Sequence, residues 1–130
     1  MQYMGSKNKI SKELAPIIQS YVDKGCSGYL ESFVGGANMI DKIKCDKRYG
    51  CDNNKYLIAL LKHIQQNVLD IPKYILKEHY LEVKNNKEKY DDWYLGLIGF
   101  CSFGNKFWGG YASNGKDDVT GERTKSYFSS

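Results

Sequence analysis

The ten residues ESFVGGANMI at positions 31 to 40 constrain the fold of this chain more than any other stretch. They overlap a β-prone run, YLESFV at 29 to 34. Gly35 and Gly36 then separate that run from ANMIDKIK, which sets Met39, Ile40 and Ile43 on one helical face. Residues 47 to 51 (KRYGC) read as a second short strand, closed by Asp52. The order strand, glycine turn, helix, strand, acid is that of a βαβ unit and predicts an α/β fold. A turn without side chains lets a ligand approach the backbone, and the start of a helix presents free N–H groups beside it. Asp52 follows Gly35 by 17 residues, close to the roughly 20-residue interval at which an acid reaches ribose hydroxyls in dinucleotide folds. Spacing alone leaves two readings open: a nucleotide-like binding site, or a tight turn with Asp52 and Asn53 capping the next helix. FVGGAN is not GxGxxG, which counts against a nicotinamide or flavin cofactor.

The rest of the chain supplies elements around this unit. Ile10, Leu14, Ile17, Ile18 and Tyr21 recur at helical spacing and predict a helix over about 11 to 23, with Ser11 as N-cap. NNKYLIALLKHIQQNV, with Leu57, Ile58, Leu60, Leu61 and Ile64 on one face, predicts another after Asn53 or Asn54. A third helix, KYILKEHYLEVK, is expected to start after Pro72. WYLGLIGFCSF at 93 to 103 is read as a buried helix interrupted by glycine, a strand being the alternative that periodicity leaves open. From Gly104 onward the chain is rich in Gly, Asn, Ser and charge, and reads as loop.

Composition narrows the classes of function. The 130 residues suit one domain of ordinary size, or part of one, and no apolar run approaches the roughly 20 residues of a membrane span. MQYMGSKNKI has no continuous apolar stretch of the kind an export signal needs, so a cytoplasmic setting is expected. Cys26, Cys45, Cys51 and Cys101 show no CxxC spacing and no nearby histidine, so they read as free thiols and no metal site is expected. His63 and His79 read as packing or surface residues. A net charge of +4 is weak support for a polyanionic partner. Aromatics at 14%, several interleaved with Gly, Asn and Lys near the C-terminus, suit base stacking or a core equally.

YMGSK at 3 to 7, ESFVGGANM at 31 to 39 and CDNN at 51 to 54 occur in order. Together with the helix that follows, they resemble the N-terminal half of DNA adenine N6-methyltransferases, most closely the phage-borne ones. GFCSFGNKFWGGY at 99 to 111 also looks like a segment of those enzymes. The resemblance covers nearly the whole chain. It implies the N-terminal portion of a Rossmann-like S-adenosylmethionine-dependent methyltransferase fold, with a partial helical and loop segment for target recognition. On this reading residues 1 to 70 form the cofactor-binding region, and residues 71 to 130 belong to the target-recognition region.

The resemblance also implies roles for individual residues. Tyr3, Gly5 and Lys7 would close over S-adenosylmethionine, Tyr3 by stacking or packing and Lys7 at the methionine carboxylate. Phe33, Gly35 and Gly36 would form the turn around the methionine moiety. Glu31 would orient the cofactor amino group. Asp52, followed by Asn53, would hold the ribose hydroxyls. Lys106, Phe107, Trp108 and Tyr111 are candidates for contact with double-stranded DNA; the competing reading is a packed aromatic cluster beneath a glycine-rich loop. The family's Asp/Asn-Pro-Pro-Tyr/Phe segment, which holds the flipped adenine, has no counterpart here, because the only prolines are Pro16 and Pro72. No catalytic residue is therefore carried over, and the 130 residues alone are expected to be inactive. The partners implied are double-stranded DNA and a complementing C-terminal segment or chain. Two alternatives stand beside this one: a non-enzymatic remnant that binds cofactor or DNA, and a nicotinamide-dependent oxidoreductase fragment.

Overall fold

A computed structural model of the chain describes residues 5–100, 106–113, 115, 116 and 119–126. The side chains of Val68, Gly115 and residues 123–126 lie outside that description. The chain divides into two compact units, residues 2–54 and 55–130. The helix over 55–67 therefore groups with the second unit and not with the first 70 residues.

In the first unit, a 3-10 turn at Lys7–Lys9 leads into helix α1, Ser11–Val22. Ser11 is inside the helix and not its N-cap, which is Ile10. The buried Ser11 hydroxyl instead donates to the Asn8 carbonyl at 2.9 Å. Pro16 is accommodated within α1 at the loss of one backbone donor. Strands β1 (Tyr29–Glu31) and β2 (Arg48–Gly50) pair in parallel, with Leu30 opposite Tyr49 and Glu31 opposite Gly50. The Gln19 side chain ties α1 to the approach to β2, donating to the Lys44 carbonyl at 2.9 Å and accepting from its N–H at 2.8 Å.

The segment between the strands departs from expectation. ANMIDKIK forms only a 3-10 turn, Ile40–Lys42, instead of a helix. Gly35 and Ala37 take left-handed backbone angles, φ +50° and +60°. Lys42 N–H bonds the Met39 carbonyl, one residue short of the α pattern. The carbonyls that a helix would use are taken by side chains: Asn38 by Lys42 Nζ, and Ile40 and Ile43 by the Arg48 guanidinium. Val34, Met39 and Ile43 are the buried apolar side chains here. Gly50 matters to that packing, since a methyl group on it would stand 2.8 Å from Val34 Cγ2.

The second unit is built on α2 (Lys55–Asn67) and α4 (Asp92–Gly99). A methyl group at Gly96 would collide with the Tyr56 carbonyl oxygen, so the two helices cross at backbone distance. The apolar segment from residue 93 is thus helical to Gly99, and residues 101–103 lie outside the described set. The helix expected after Pro72 begins later, because Tyr74–Leu76 is strand β3 and only Lys77–Asn85 is helix α3. The tail is not all loop. Strands β4 (Gly115–Lys116) and β5 (Arg123–Ser126) join β3 in an antiparallel sheet of order β3-β5-β4, with Ile75 opposite Lys125. β5 is polar and shows no alternation in its sequence, and pairing with Tyr-Ile-Leu of β3 supplies the order its own residues do not signal. Leu57, Leu60, Ile75, Tyr80, Val83, Leu97 and Ile98 are buried. Among the described residues, no helix is long and apolar enough to cross a membrane.

Candidate functional site

Backbone bonds fold the end of β1 against β2. Cys51 N–H donates to the Glu31 carbonyl and Val34 N–H to the Cys51 carbonyl, both at 2.8 Å, so residues 32–34 lie alongside β2 as it ends. The glycine turn follows at once. Gly35 N–H donates to Asp52 Oδ2 at 3.2 Å, and Asp52 Oδ1 accepts from Asn54 N–H at 3.1 Å. Each carboxylate oxygen therefore keeps a further lone pair. Asp52 is half-buried, Gly35 buried, Gly36 half-buried and Asn53 exposed.

The N-terminal turn is fastened to this loop at two points. Lys7 Nζ donates to the Phe33 carbonyl and lies 3.2 Å from Glu31 Oε1. The Ser6 hydroxyl accepts from Asn38 Nδ2 at 2.7 Å and from Asn8 N–H at 3.3 Å. Glu31 is only 6% exposed. Lys7 meets Oε1 as an ion pair without hydrogen-bond alignment, and Oε2 has no hydrogen-bond partner among the described residues. Burial, and secondarily the Glu31 carboxylate, push the Tyr29 phenol above its ordinary range. The result is a buried anion facing one cation, beside backbone in the left-handed region. Gly5, at φ +78°, is exposed, and the Phe33 ring is 78% exposed. Tyr3 lies outside the described residues.

Three of the four residues expected to meet DNA belong to one aromatic cluster in the second unit, Phe107 against Trp108 and Tyr111 joined to Trp108 through Tyr80. The Phe107 ring lies 4.9 Å from Phe100, 5.7 Å from Tyr56 and against Gly99. Trp108 sits at φ +58°, its N–H held by the Gly99 carbonyl at 2.8 Å. Tyr111 donates its hydroxyl to the Ile75 carbonyl at 2.5 Å and meets Tyr80. All three are half-buried, while Lys106 is exposed. The histidines sit in aromatic surroundings. His63 stacks on Trp93 with ring centres 3.6 Å apart, and His79 Nε2 is 2.7 Å from the Tyr94 hydroxyl.

Residues 3–107 match the family model of the D12 class N6 adenine-specific DNA methyltransferases. The chain belongs to this family. The match spans the N-terminal turn, the glycine loop and Asp52, which converge in the first unit, and it reaches Phe107 in the aromatic cluster of the second. No curated protein and no solved structure matches the chain. The resemblance read from YMGSK, ESFVGGANM and CDNN is thus the family's, and the mixture of helices and strands agrees with an α/β fold.

For this methyltransferase chain, the sequence motifs do not reveal the Ser6–Asn38 bridge or the role of Gly50. Asn38 stands directly behind the glycine loop but carries no motif of its own. Gly50 was detectable in principle, because an isolated glycine in a strand marks close approach of a neighbour, here Val34.

Proposed function

We propose that this D12-family chain binds S-adenosylmethionine in the first unit and serves methyl transfer to adenine N6 in double-stranded DNA, inside the cell. The observation that carries this reading is the buried Glu31 carboxylate, paired to Lys7 at the mouth of the glycine loop and with Oε2 lacking a hydrogen-bond partner among the described residues. A zwitterion fits that pair. Its ammonium takes Glu31 and its carboxylate takes Lys7, so each protein charge exchanges one partner for another and none is left bare. The methionine end of S-adenosylmethionine is such a zwitterion. The spare lone pairs of Asp52 suit two ribose hydroxyls, and the Gly35–Asp52 bond fixes the carboxylate beside the loop. The parallel pair β1-β2, with the loop at the carboxyl end of β1, supports this reading, because a Rossmann-like sheet binds its ligand at the carboxyl ends of its strands.

When bound, S-adenosylmethionine supplies the activated methyl group. The chain's own residues orient it: Glu31 and Lys7 at one end, Asp52 at the other, with Phe33, Gly35 and Gly36 between. The family's base-holding Pro-Pro segment is not among these 130 residues, so transfer requires that segment, as further chain or as a second chain.

Calorimetry with S-adenosylmethionine tests the site. Binding is expected, and Asp52→Ala should weaken it by about 1–3 kcal/mol as its charge-assisted bonds disappear. Glu31→Gln should weaken it as well, while NAD gives no heat. Absence of S-adenosylmethionine binding by the folded chain, or unchanged affinity in Asp52→Ala, would overturn the reading.

A further inference from the structure

In the second unit, two lysines are seated on aromatic rings. Lys87 Nζ, on the 3-10 turn Lys87–Lys89, is 4.8 Å from the Trp108 ring centre, and Lys84 Nζ at the end of α3 is 5.9 Å from that of Tyr80. The seats are themselves fixed. Tyr80 is fully buried, its hydroxyl accepts Gly110 N–H at 3.2 Å, and its ring is 5.5 Å from Trp108. Trp108 is held in left-handed backbone by the Gly99 carbonyl, a conformation that a bulky residue keeps only when its surroundings impose it. Lys106, exposed, stands two residues before it.

Among the described residues, no carboxylate lies within 4.0 Å of Lys84, Lys87 or Lys106. Of the nearby acids, Glu82 is engaged by Tyr90 and His79, Asp92 pairs with Lys55, and Glu88 is exposed next to Lys87. A lysine ordinarily samples many rotamers; holding its ammonium over a ring face lowers that freedom and places a cation without neutralising it. Fixed, unpaired cations are what a regular array of phosphates selects. Because Lys87 covers a face of Trp108, that ring serves as a seat for a cation and not as an open platform for a base.

We propose that Lys84, Lys87 and Lys106 contact the phosphate backbone of double-stranded DNA, with Tyr80 and Trp108 positioning two of them. The proposal rests on the reading that this chain acts on duplex DNA. The contact sets register and carries no sequence preference of its own.

The test is fluorescence anisotropy of a labelled duplex with the 130-residue chain over a salt series. Lys84→Gln, Lys87→Gln and Lys106→Gln should each flatten the plot of log affinity against log salt by about 0.9, because each variant leaves one phosphate with its counterion. The fall in affinity should be equal for duplexes of different sequence, and Lys87→Arg should restore the wild-type slope. Calorimetry with S-adenosylmethionine on the same variants should be unchanged, which separates these phosphate-binding lysines from the cofactor site. Wild-type slopes in all three glutamine variants, or no duplex binding by the wild-type chain at low salt, would overturn the proposal. Tighter binding of an RNA duplex of equal length would overturn the assignment to DNA. Absence of S-adenosylmethionine binding by the wild-type chain, with the slopes behaving as stated, would sink the cofactor reading alone.

Discussion

Burying a carboxylate as deeply as Glu31 costs free energy unless a cation stands beside it, and Lys7 Nζ at 3.2 Å is that cation. Lys7→Met should therefore destabilise the chain by about 1–3 kcal/mol, visible as a lower urea midpoint with unchanged slope, whereas Lys7→Arg should keep most of the stability. Equal midpoints for wild type and Lys7→Met would mean that the pair contributes nothing. A second residue-scale prediction concerns Tyr90. Its hydrogen bond to Glu82, more than burial, pushes its phenol up to about 12. The folded chain thus favours the neutral phenol. The stabilisation is complete below the ordinary tyrosine range near 10 and is lost as pH rises towards 12. Ultraviolet titration should show a tyrosine ionising near pH 12, later than Tyr90→Phe shows, while the late shift of Tyr29 persists in that variant. At this scale the sequence was most legible where a motif names the chemistry. Lys7, Glu31, Gly35 and Asp52 all belong to such motifs, and the first unit brings them to one loop. Lys84 and Lys87 belong to no such motif: Lys84 follows Tyr80 by one helical turn on α3, a spacing too common to name a chemistry, and the seat of Lys87 on Trp108 is decided by tertiary placement.

Elements were legible wherever hydrophobic period and length agreed. α1 and α2 fall where apolar residues recur at helical spacing. The helix expected in ANMIDKIK gives way to a 3-10 turn, with the Arg48 guanidinium of the following strand holding the Ile40 and Ile43 carbonyls, a side-chain claim that periodicity does not register. Tyr74–Leu76 has a strand's composition inside a helical pattern, and β5 decides in favour of the strand. The glycines inside elements give a prediction at this scale. Gly50→Ala places a methyl group 2.8 Å from Val34 Cγ2 and 3.3 Å from Ile40 Cδ1, so Val34 must move. A loss of about 1–3 kcal/mol is expected from such overpacking, measurable as a fall in Tm. Because Val34 precedes Gly35, affinity for S-adenosylmethionine should fall with it. An unchanged Tm would show that the loop relaxes around position 50 at no cost.

At the scale of the whole molecule, the two-stranded sheet stands out for its exposure. Parallel strands are ordinarily covered on both faces, yet the paired residues Leu30 and Tyr49 are 60% and 58% exposed. Only three residues of each strand pair, which is marginal for a sheet standing alone. Under the proposed function, the Pro-Pro segment would arrive on further strands of the same sheet together with the helices that connect them, so covering the sheet's face and supplying the base-holding groups would be one event. The corresponding prediction has two readouts. The 130-residue chain should transfer no methyl group to adenine in duplex DNA, and the amides of β1 and β2 should exchange rapidly with solvent. Co-expression with a polypeptide carrying the family's Pro-Pro segment should restore transfer and slow exchange at Leu30 and Tyr49 together. Restored transfer without added protection would separate catalysis from the sheet, and methylation by the 130 residues alone would place the catalytic groups within this chain itself.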